Sequence, residues 1–531
     1  MIQRLSKLIL VCGCLLVANG LLQWLVDSDL GICWTHNTLR NWDQAGFLAL
    51  KGRLVTNPGG HNALEQPHVY SGHRAASLYP AFVMRRLFAW TGLNALPFHA
   101  LFTLVFLGAI WHLLGRTEAA FSIGAVAILS PGYVLYPTTL DPNAIAVLTG
   151  IPFAALLGWQ LLQPRLTPSA TVLLLVATIA FTLLNWTTAF VHMQIFLALL
   201  LTRMVSWRRL ALYALFGLLS ASVVVGVSLA SKISDNGRQT GSIMQLLAGY
   251  TWGQSGYNIF GLSTTTFVVR MGFINILGLL PLWILWGWIL YSKREAGSLR
   301  MVLAITPVGL AVLQAMLMRN YFGHHPWMAA PLLLLGIVMS LFVLLRPGME
   351  SAVQLPTIGM GCRSLVWVAT FVFAFVVLLF YREHQATIIS LVSLVRSNSA
   401  RGDGILVVRG VDTNTADIAE RLPDSLDRWL MVEDDLPTPV RPTAASFLLS
   451  AKPLPGEWTL AAQSQHDPLE SMPFMRPALD WFSKHIAHRA AGDRLEVAEI
   501  YYLYHVPTNL IAAAQKAGQT ASLPSQKYEP R

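Results

Sequence analysis

The stretch LILVCGCLLVANGLLQWLV, Leu8 to Val26, is preceded by Arg4 and Lys7 and followed at once by Asp27-Ser28-Asp29. A basic start ahead of an apolar run is how a secretory signal begins. A signal's apolar region is roughly 7–15 residues long, and this run exceeds it. It has the length needed to cross a hydrocarbon layer as a helix, and it reads as a retained first membrane span.

Working outward, ten further apolar runs of similar length fall near 94–115, 118–136, 142–162, 168–186, 187–204, 208–231, 267–291, 300–318, 327–346 and 363–381. Each is expected to be a helix, because lipid offers free backbone groups no partner. Between 168–186 and 187–204 the separator is only "NWTT". The expected fold is mainly α: a polytopic membrane helix bundle of about eleven spans over 1–381, followed by a small soluble α/β domain.

Composition agrees. The 531 residues are 54% hydrophobic and 12% charged, against about 25% charged in ordinary soluble domains. The first 381 residues hold 9 Asp/Glu and 22 Lys/Arg, and the rest hold 18 and 15. A basic excess can mean nucleic acid, but here the bases lie between apolar runs, where they orient a membrane protein. No nucleic-acid partner is expected. Cys12, Cys14, Cys33 and Cys362 have no zinc spacing and no disulfide framework.

With a cytoplasmic N-terminus, the inside connections carry Arg4, Lys7, Arg116, Arg165, Arg203, Arg208, Arg209, Lys293, Arg294, Arg300, Arg346 and Arg363, with Glu118, Glu295 and Glu350 as their acids. That satisfies the positive-inside rule. The outer loops are then 27–93, 137–141, 185–188, 232–266 and 319–326, and the tail lies outside the cell membrane. In the tail, "DGILVVRGVD" and "EVAEIYYLYHV" read as short strands, "TADIAERLPDSLDRWL" has helical spacing, and "DDLPTPVRPT" is a connector. The domain is expected over 382–518 and a disordered end over 519–531. "DGILVVRG" lacks the pattern of a phosphate-binding glycine loop. No internal repeat is visible.

The outer loops concentrate the acids. Asp27 and Asp29 follow the first span, Asp43 comes soon after, and Asp141 sits in "YPTTLDPNA". Converging carboxylates could deprotonate a hydroxyl or hold a divalent cation against a phosphate. Taken singly, each reads more simply as a solvated helix end, and Asp141-Pro142 also suits a helix start. Ala45, Phe47, Leu48 and Leu50 suggest an interfacial helix ended by Gly52, and "SLYPAFVMRRLFAW" a second one. Tyr70, His73 and Arg74 lie between them. In "MLMRNYFGHHPWMAAP", Arg319, His324 and His325 cluster at the depth where a lipid-anchored phosphate would sit, and Arg offers it bidentate donors; an interfacial Arg in an aromatic belt is the alternative. Residues 232–266 are rich in Gly, Gln, Asn, Tyr and Trp, which suits sugar rings or a plain connector. His192, in the sixth run, reads as a packed helix residue.

A first span, a DxD-like motif in a long outer loop, "ALKGRL" and a Tyr/Pro-containing second helix together resemble the C-type membrane glycosyltransferases (GT-C). That resemblance implies a sugar donor on a polyprenyl phosphate or pyrophosphate and a glycan, lipid or protein acceptor on the extracytoplasmic face. It places the first-loop acid on Asp27-Ser28-Asp29 and a second-loop acid on Asp141. Asp43 lies nearer "ALKGRL" and is the alternative counterpart, and the Asp-Glu pair of many lipid-sugar transferases is absent. The expected chemistry is inverting transfer, with Asp29, Asp27 or Asp43 as base, Arg319 or Arg74 on the leaving phosphate, and Asp29 and Asp141 as candidate ligands for Mg or Mn. The expected location is a bacterial inner membrane. Two alternatives remain: a lipid-linked glycan ligase or polymerase working through Arg and His, and a non-enzymatic transporter.

Overall fold

The computed structural model describes residues 2–26, 33–55, 64, 75–88, 96–115, 117–139, 142–185, 187–236, 264–294, 298–317, 329–345, 360–400, 403–408, 410–411, 428–438, 443, 445–454, 458–465 and 500–511. The protein is mainly helical with a small C-terminal sheet. It divides into two compact units: residues 1–26 with 71–378, and 27–70 with 379–531.

The first unit is all helix. It contains α1 (Ile2–Leu25), a 3-10 turn at Ala75–Leu78, α3 (Tyr79–Leu87), α4 (Leu96–Leu113), α5 (Glu118–Leu129), α6 (Pro131–Thr139), α7 (Pro142–Leu148), α8 (Gly150–Leu161), α9 (Pro168–Thr182), α10 (Thr188–Thr202), α11 (Trp207–Asn236), α12 (Thr264–Ser292), α13 (Ser298–Leu317) and α14 (Ala329–Leu345). α15 (Met360–Asn398) begins there, and α2 (Cys33–Asn41) belongs to the second unit.

Local chemistry sets the boundaries. Thr117 caps α5 by accepting from the Ala120 amide at 3.0 Å, and Thr167, ahead of Pro168, does the same for α9 through Ala170 at 3.2 Å. The run expected as one helix over 118–136 is broken at Ser130, whose extended ψ of 139° precedes Pro131. The 187–204 run ends at Arg203 in a left-handed conformation, φ 50°.

Packing is closest around α14. Every residue from Ala329 to Leu344 is buried, as expected of a helix that is apolar on all sides. A Cβ added at Gly336 would lie 3.1 Å from the Pro307 carbonyl and from the Ala311 Cβ. The outer helices instead turn large apolar side chains outward, including Leu218 (68% exposed) and Val372 (53%), along with Val17, Val172 and Ile284. Among the described residues, Ala144–Leu161 and Asn275–Ser292 are long and apolar enough to cross a bilayer, and eight shorter apolar helical stretches accompany them.

In the second unit, α15 runs unbroken past the boundary expected at 381/382, and its last turns meet the sheet. Strands β1 (Gly404–Val408), β2 (Trp429–Glu433), β3 (Phe447–Ser450), β4 (Thr459–Gln465) and β5 (Ile500–His505) are ordered β2-β1-β3-β5-β4. β1 is parallel to β2 and β3, while β5 is antiparallel to β3 and β4. Leu391, Val392, Leu394 and Val395 of α15 pack on Ile405, Val407, Phe447 and Leu503. The opposite face buries Leu406, Val408, Leu448 and Tyr504. Burial on both faces explains why β1 reads as a continuous apolar run. Trp429 and Leu430, at the end of the segment expected to be helical, lie in β2. Arg428, 4% exposed, closes α15: its Nε donates to the Ser399 hydroxyl at 2.8 Å, and its Nη2 donates to the Arg396 carbonyl at 3.1 Å and to the Ser399 carbonyl. A guanidinium there meets carbonyls that a helix end leaves unpaired.

Candidate functional site

Asp43 is the one candidate residue that falls among the described residues. The expected interfacial helix through "ALKGRL" is displaced: helical structure starts at Cys33, widens into a π turn at Trp42–Gly46, and stops where Gly46 takes φ 96°. Residues 47–50 form a turn, and Lys51 and Gly52 are left-handed at φ 54° and 61°. Buried Trp42 fixes this hook. Its indole donates to the Arg53 carbonyl at 2.7 Å and packs edge-on against Phe47, while the Asn41 amide donates to the Val55 carbonyl at 2.7 Å. Asp43 thus sits half-buried on a pinned turn. Within the second stretch expected to be helical, α3 is present, with Arg86 over the Phe82 ring at 5.4 Å.

Asp27, Asp29, Asp141, Tyr70, His73, Arg74, Arg319, His324 and His325 lie outside the described residues, as do residues 237–263 of the stretch 232–266. The helices that lead into and out of them are described, and their directions can be traced. Gly150 faces Val191 and Leu335, and further along Gly158 and Leu162 share a small gap with Leu199 and Phe342. α8 and α14 therefore run side by side in the same direction. Pro142, eight residues before Gly150, and Ala329, six before Leu335, start at one end of the unit. Pro307 and Ala311 of α13 flank Gly336 of α14, and the segment carrying Arg319, His324 and His325 leads into α14 at Ala329. α7 packs on both α14 and the Ala75–Leu78 turn.

α1 finishes at the same end. Gly132, just after α5, lies against Ala330 at the start of α14, and the Asn19 amide, six residues before the end of α1, donates to the Ile128 carbonyl near the end of α5 at 2.7 Å. Segments carrying Asp27 and Asp29, Asp141, Arg74, and Arg319 with His324 and His325 are thus all entered or left at one end of the helical unit. At the opposite end Arg363 pairs with Glu118. There too Arg209 donates to the carbonyls of Leu161 (2.6 Å), Gln163 (2.5 Å) and Pro164 (2.9 Å). The gap lined by His112, Gly158 and Phe342 at that end has room for about one water at most, far too small for a sugar.

His192 is packed, as its position in an apolar run suggests. Phe153, Phe181 and Tyr213 surround it, and its ring nitrogens bond to Thr182 (3.0 Å) and Tyr213 (2.5 Å). Two polar groups inside the unit escaped the sequence reading. One joins Asn19, Gln23, Thr103 and Tyr133; the other is the buried pair Gln194–Gln314, whose Nε2 and Oε1 atoms lie 3.2 Å apart. A signal existed for the first: Asn19 and Gln23 stand four residues apart within an apolar helix.

Among the described residues no three His, Cys, Asp or Glu side chains gather as a metal site. Compared with known proteins, the chain matches no family model, no curated protein and no solved structure.

Proposed function

We propose that the protein is a polytopic membrane glycosyltransferase of the GT-C kind. It moves a sugar from a polyprenyl-phosphate-type lipid to a glycan, lipid or protein acceptor on the extracytoplasmic face of a bacterial inner membrane. The observation that carries this reading is the sorting of helix ends. The segments bearing the acids and the Arg/His cluster leave the helical unit at one end, and the bases Arg209 and Arg363 sit at the other. Outward-facing apolar side chains on α1, α9, α11, α12 and α15 suit lipid, and about eleven spans follow from the apolar runs. The grouping of 27–70 with the tail in one compact unit supports an extracytoplasmic place for both.

In this reading an acceptor hydroxyl gives its proton to a carboxylate, Asp29 before Asp27 or Asp43. The oxygen attacks the anomeric carbon, and the bond to the lipid phosphate breaks, with the electron pair leaving on phosphate oxygen. Arg319 or Arg74 steadies that charge, and Tyr70, His73, His324 and His325 line the donor's path. Mg or Mn, if used, would be held by the hard oxygen donors of Asp29 and Asp141 and would add positive charge beside the phosphate.

The test is transfer from a radiolabelled polyprenyl-phosphate sugar by the full protein in nanodiscs. Asp29→Asn should lower turnover about 10²–10⁴-fold with fold retained, Asp27→Asn and Asp43→Asn less, and Arg319→Ala should raise the donor KM. Activity lost in Asp43→Asn but kept in Asp29→Asn would move the base to the Trp42–Gly46 turn. Normal transfer by all three acid variants would refute a carboxylate base and favour the Arg/His ligase, a reading helped by the Arg319–His325 segment leading directly into central helix α14. A reporter active only in the cytoplasm, fused after Arg531, should be silent.

A further inference from the structure

Inside the helical unit, four polar side chains meet where the sequence is otherwise apolar. Gln23 Nε2 donates to Asn19 Oδ1 at 2.7 Å, the Thr103 hydroxyl reaches the same oxygen at 3.5 Å, and the Tyr133 hydroxyl donates to Thr103 Oγ1 at 3.2 Å. All four residues are buried. Asn19 is the hub, since its own Nδ2 donates to the Ile128 carbonyl.

That last bond has a specific cause. A helix leaves its last four carbonyls without intrahelical partners, and α5 stops abruptly at the Ser130–Pro131 break. The Val126 carbonyl is taken by the Ser130 hydroxyl at 2.8 Å and the Ala127 carbonyl by the Ser130 amide at 3.2 Å. The Ile128 carbonyl is taken by Asn19, a residue 109 positions away. One side chain therefore caps α5 from another helix while also holding α4, through Thr103, and α6, through Thr103 and Tyr133.

Buried polar groups contribute little net stability compared with well-packed apolar ones, but a fully bonded set fixes a single register. Without the Asn19–Ile128 bond, α1 could slide or turn along the apolar surfaces of α4, α5 and α6 at small cost. The lever is short: Asn19 stands six residues before the end of α1, about 9 Å along a helix. The chain then runs on to Asp27 and Asp29, as α6 runs on to Asp141.

We infer that Asn19 is a positioning residue, which sets where α1 leaves the helical unit relative to the end of α6 and, through that spacing, the rate of sugar transfer. The effect on rate rests on the glycosyltransferase reading; the effect on geometry does not.

The experiment places spin labels on Trp24→Cys, an exposed position on α1, and on Thr139→Cys at the end of α6. The full-length protein is used in nanodiscs, with Cys12, Cys14, Cys33 and Cys362 changed to Ser. Asn19→Leu keeps the branched heavy-atom shape and removes every hydrogen bond that the Asn19 side chain makes. It should shift or broaden the label-to-label distance distribution and lower kcat by about 10²-fold, the penalty for a misplacement of about 1 Å, leaving the donor KM unchanged. Thr103→Ser, which retains the hydroxyl, should keep both readouts at wild-type values. If Asn19→Leu fails to fold, Thr103→Val removes one donor without changing shape and should move both readouts the same way to a smaller degree. An unchanged distance distribution overturns the inference, and so does a changed distribution with unchanged kcat. A wild-type protein that transfers no sugar counts against the functional reading instead, and the distance measurement still decides whether Asn19 sets the exit.

Discussion

Arg428→Met removes the guanidinium that closes α15 while keeping most of its apolar stem. The wild-type side chain makes one charge-assisted bond to the Ser399 hydroxyl at 2.8 Å and two to the carbonyls of Arg396 and Ser399. Hydrogen bonds to charged groups contribute about 1.5–3 kcal/mol each, which would suggest a large loss. Two things reduce it. Bonds sharing one group are not additive, and Arg396 and Ser399 are half-buried, so water can reach the abandoned carbonyls. The expected cost is about 2–3 kcal/mol. At 1.4 kcal/mol per decade, amides in β1 and β2 that exchange by opening of the sheet should exchange roughly 30–150-fold faster. Hydrogen–deuterium exchange on the full protein in detergent measures this. Arg428→Lys, which lacks the planar fork, should show most of the same acceleration. If β1 and β2 exchange at wild-type rates in Arg428→Met, the helix end does not depend on this cap and the reasoning fails.

Three further outcomes are expected. Gln194 and Gln314 share one bond, and the Gln194 Oε1 and Gln314 Nε2 atoms are buried with no hydrogen-bond partner among the described residues. Gln194→Leu alone should therefore cost about 1–3 kcal/mol, while Gln194→Leu with Gln314→Leu should be near neutral by thermal unfolding in detergent. Gly336→Val should destabilise by about 1–3 kcal/mol through overpacking, because backbone atoms of α13 stand 3.1–3.3 Å from the added carbon. Gly309→Ala, with nothing within 4 Å, should be neutral or stabilising in the same assay. Burial holds the Glu433 carboxyl above its ordinary value, with a Thr443 hydrogen bond opposing. A carboxyl raised in the folded state favours folding while protonated and loses that contribution as pH rises through its folded value. Glu433→Gln should therefore stabilise the C-terminal unit modestly at neutral pH and lose that advantage below the ordinary carboxylate range, as read from pH-dependent exchange in β2.

The helices were legible because their signals are long. Each apolar run found from sequence contains helix, and "NWTT" separates α9 from α10 as two helices. What escaped was short or depended on distant partners. "RWLMVE" looks like the end of a helix until β1 stands beside it, and "SFLLS" and "TLAAQSQ" are too brief to announce strands. The turn at Gly46 overrides the helical pattern of Ala45, Phe47 and Leu48 because it is held by Trp42 reaching to Arg53, a contact that no periodicity contains. Hydrophobicity falls at Arg382, where the sequence alone puts the start of the tail, yet α15 continues because its later apolar residues pack on the sheet. Of the candidate site, sequence supplied the acids and the Arg/His cluster. That their segments emerge together could be seen only from where Gly150 and Gly132 meet α14 and where Asn19 meets α5.

The complete enclosure of α14 has a consequence for how this protein can vary. Helices with one outward face, such as α9 and α11, can accept new side chains there, so tolerated changes along them should recur with a helical rhythm. α14 has no such face. A saturation library across Ala329–Leu344 should give a flat profile, with every position demanding a side chain of nearly its present volume. Change in this helix would then come as paired events, each new side chain matched by a reciprocal one on α6, α7, α8, α10, α12 or α13.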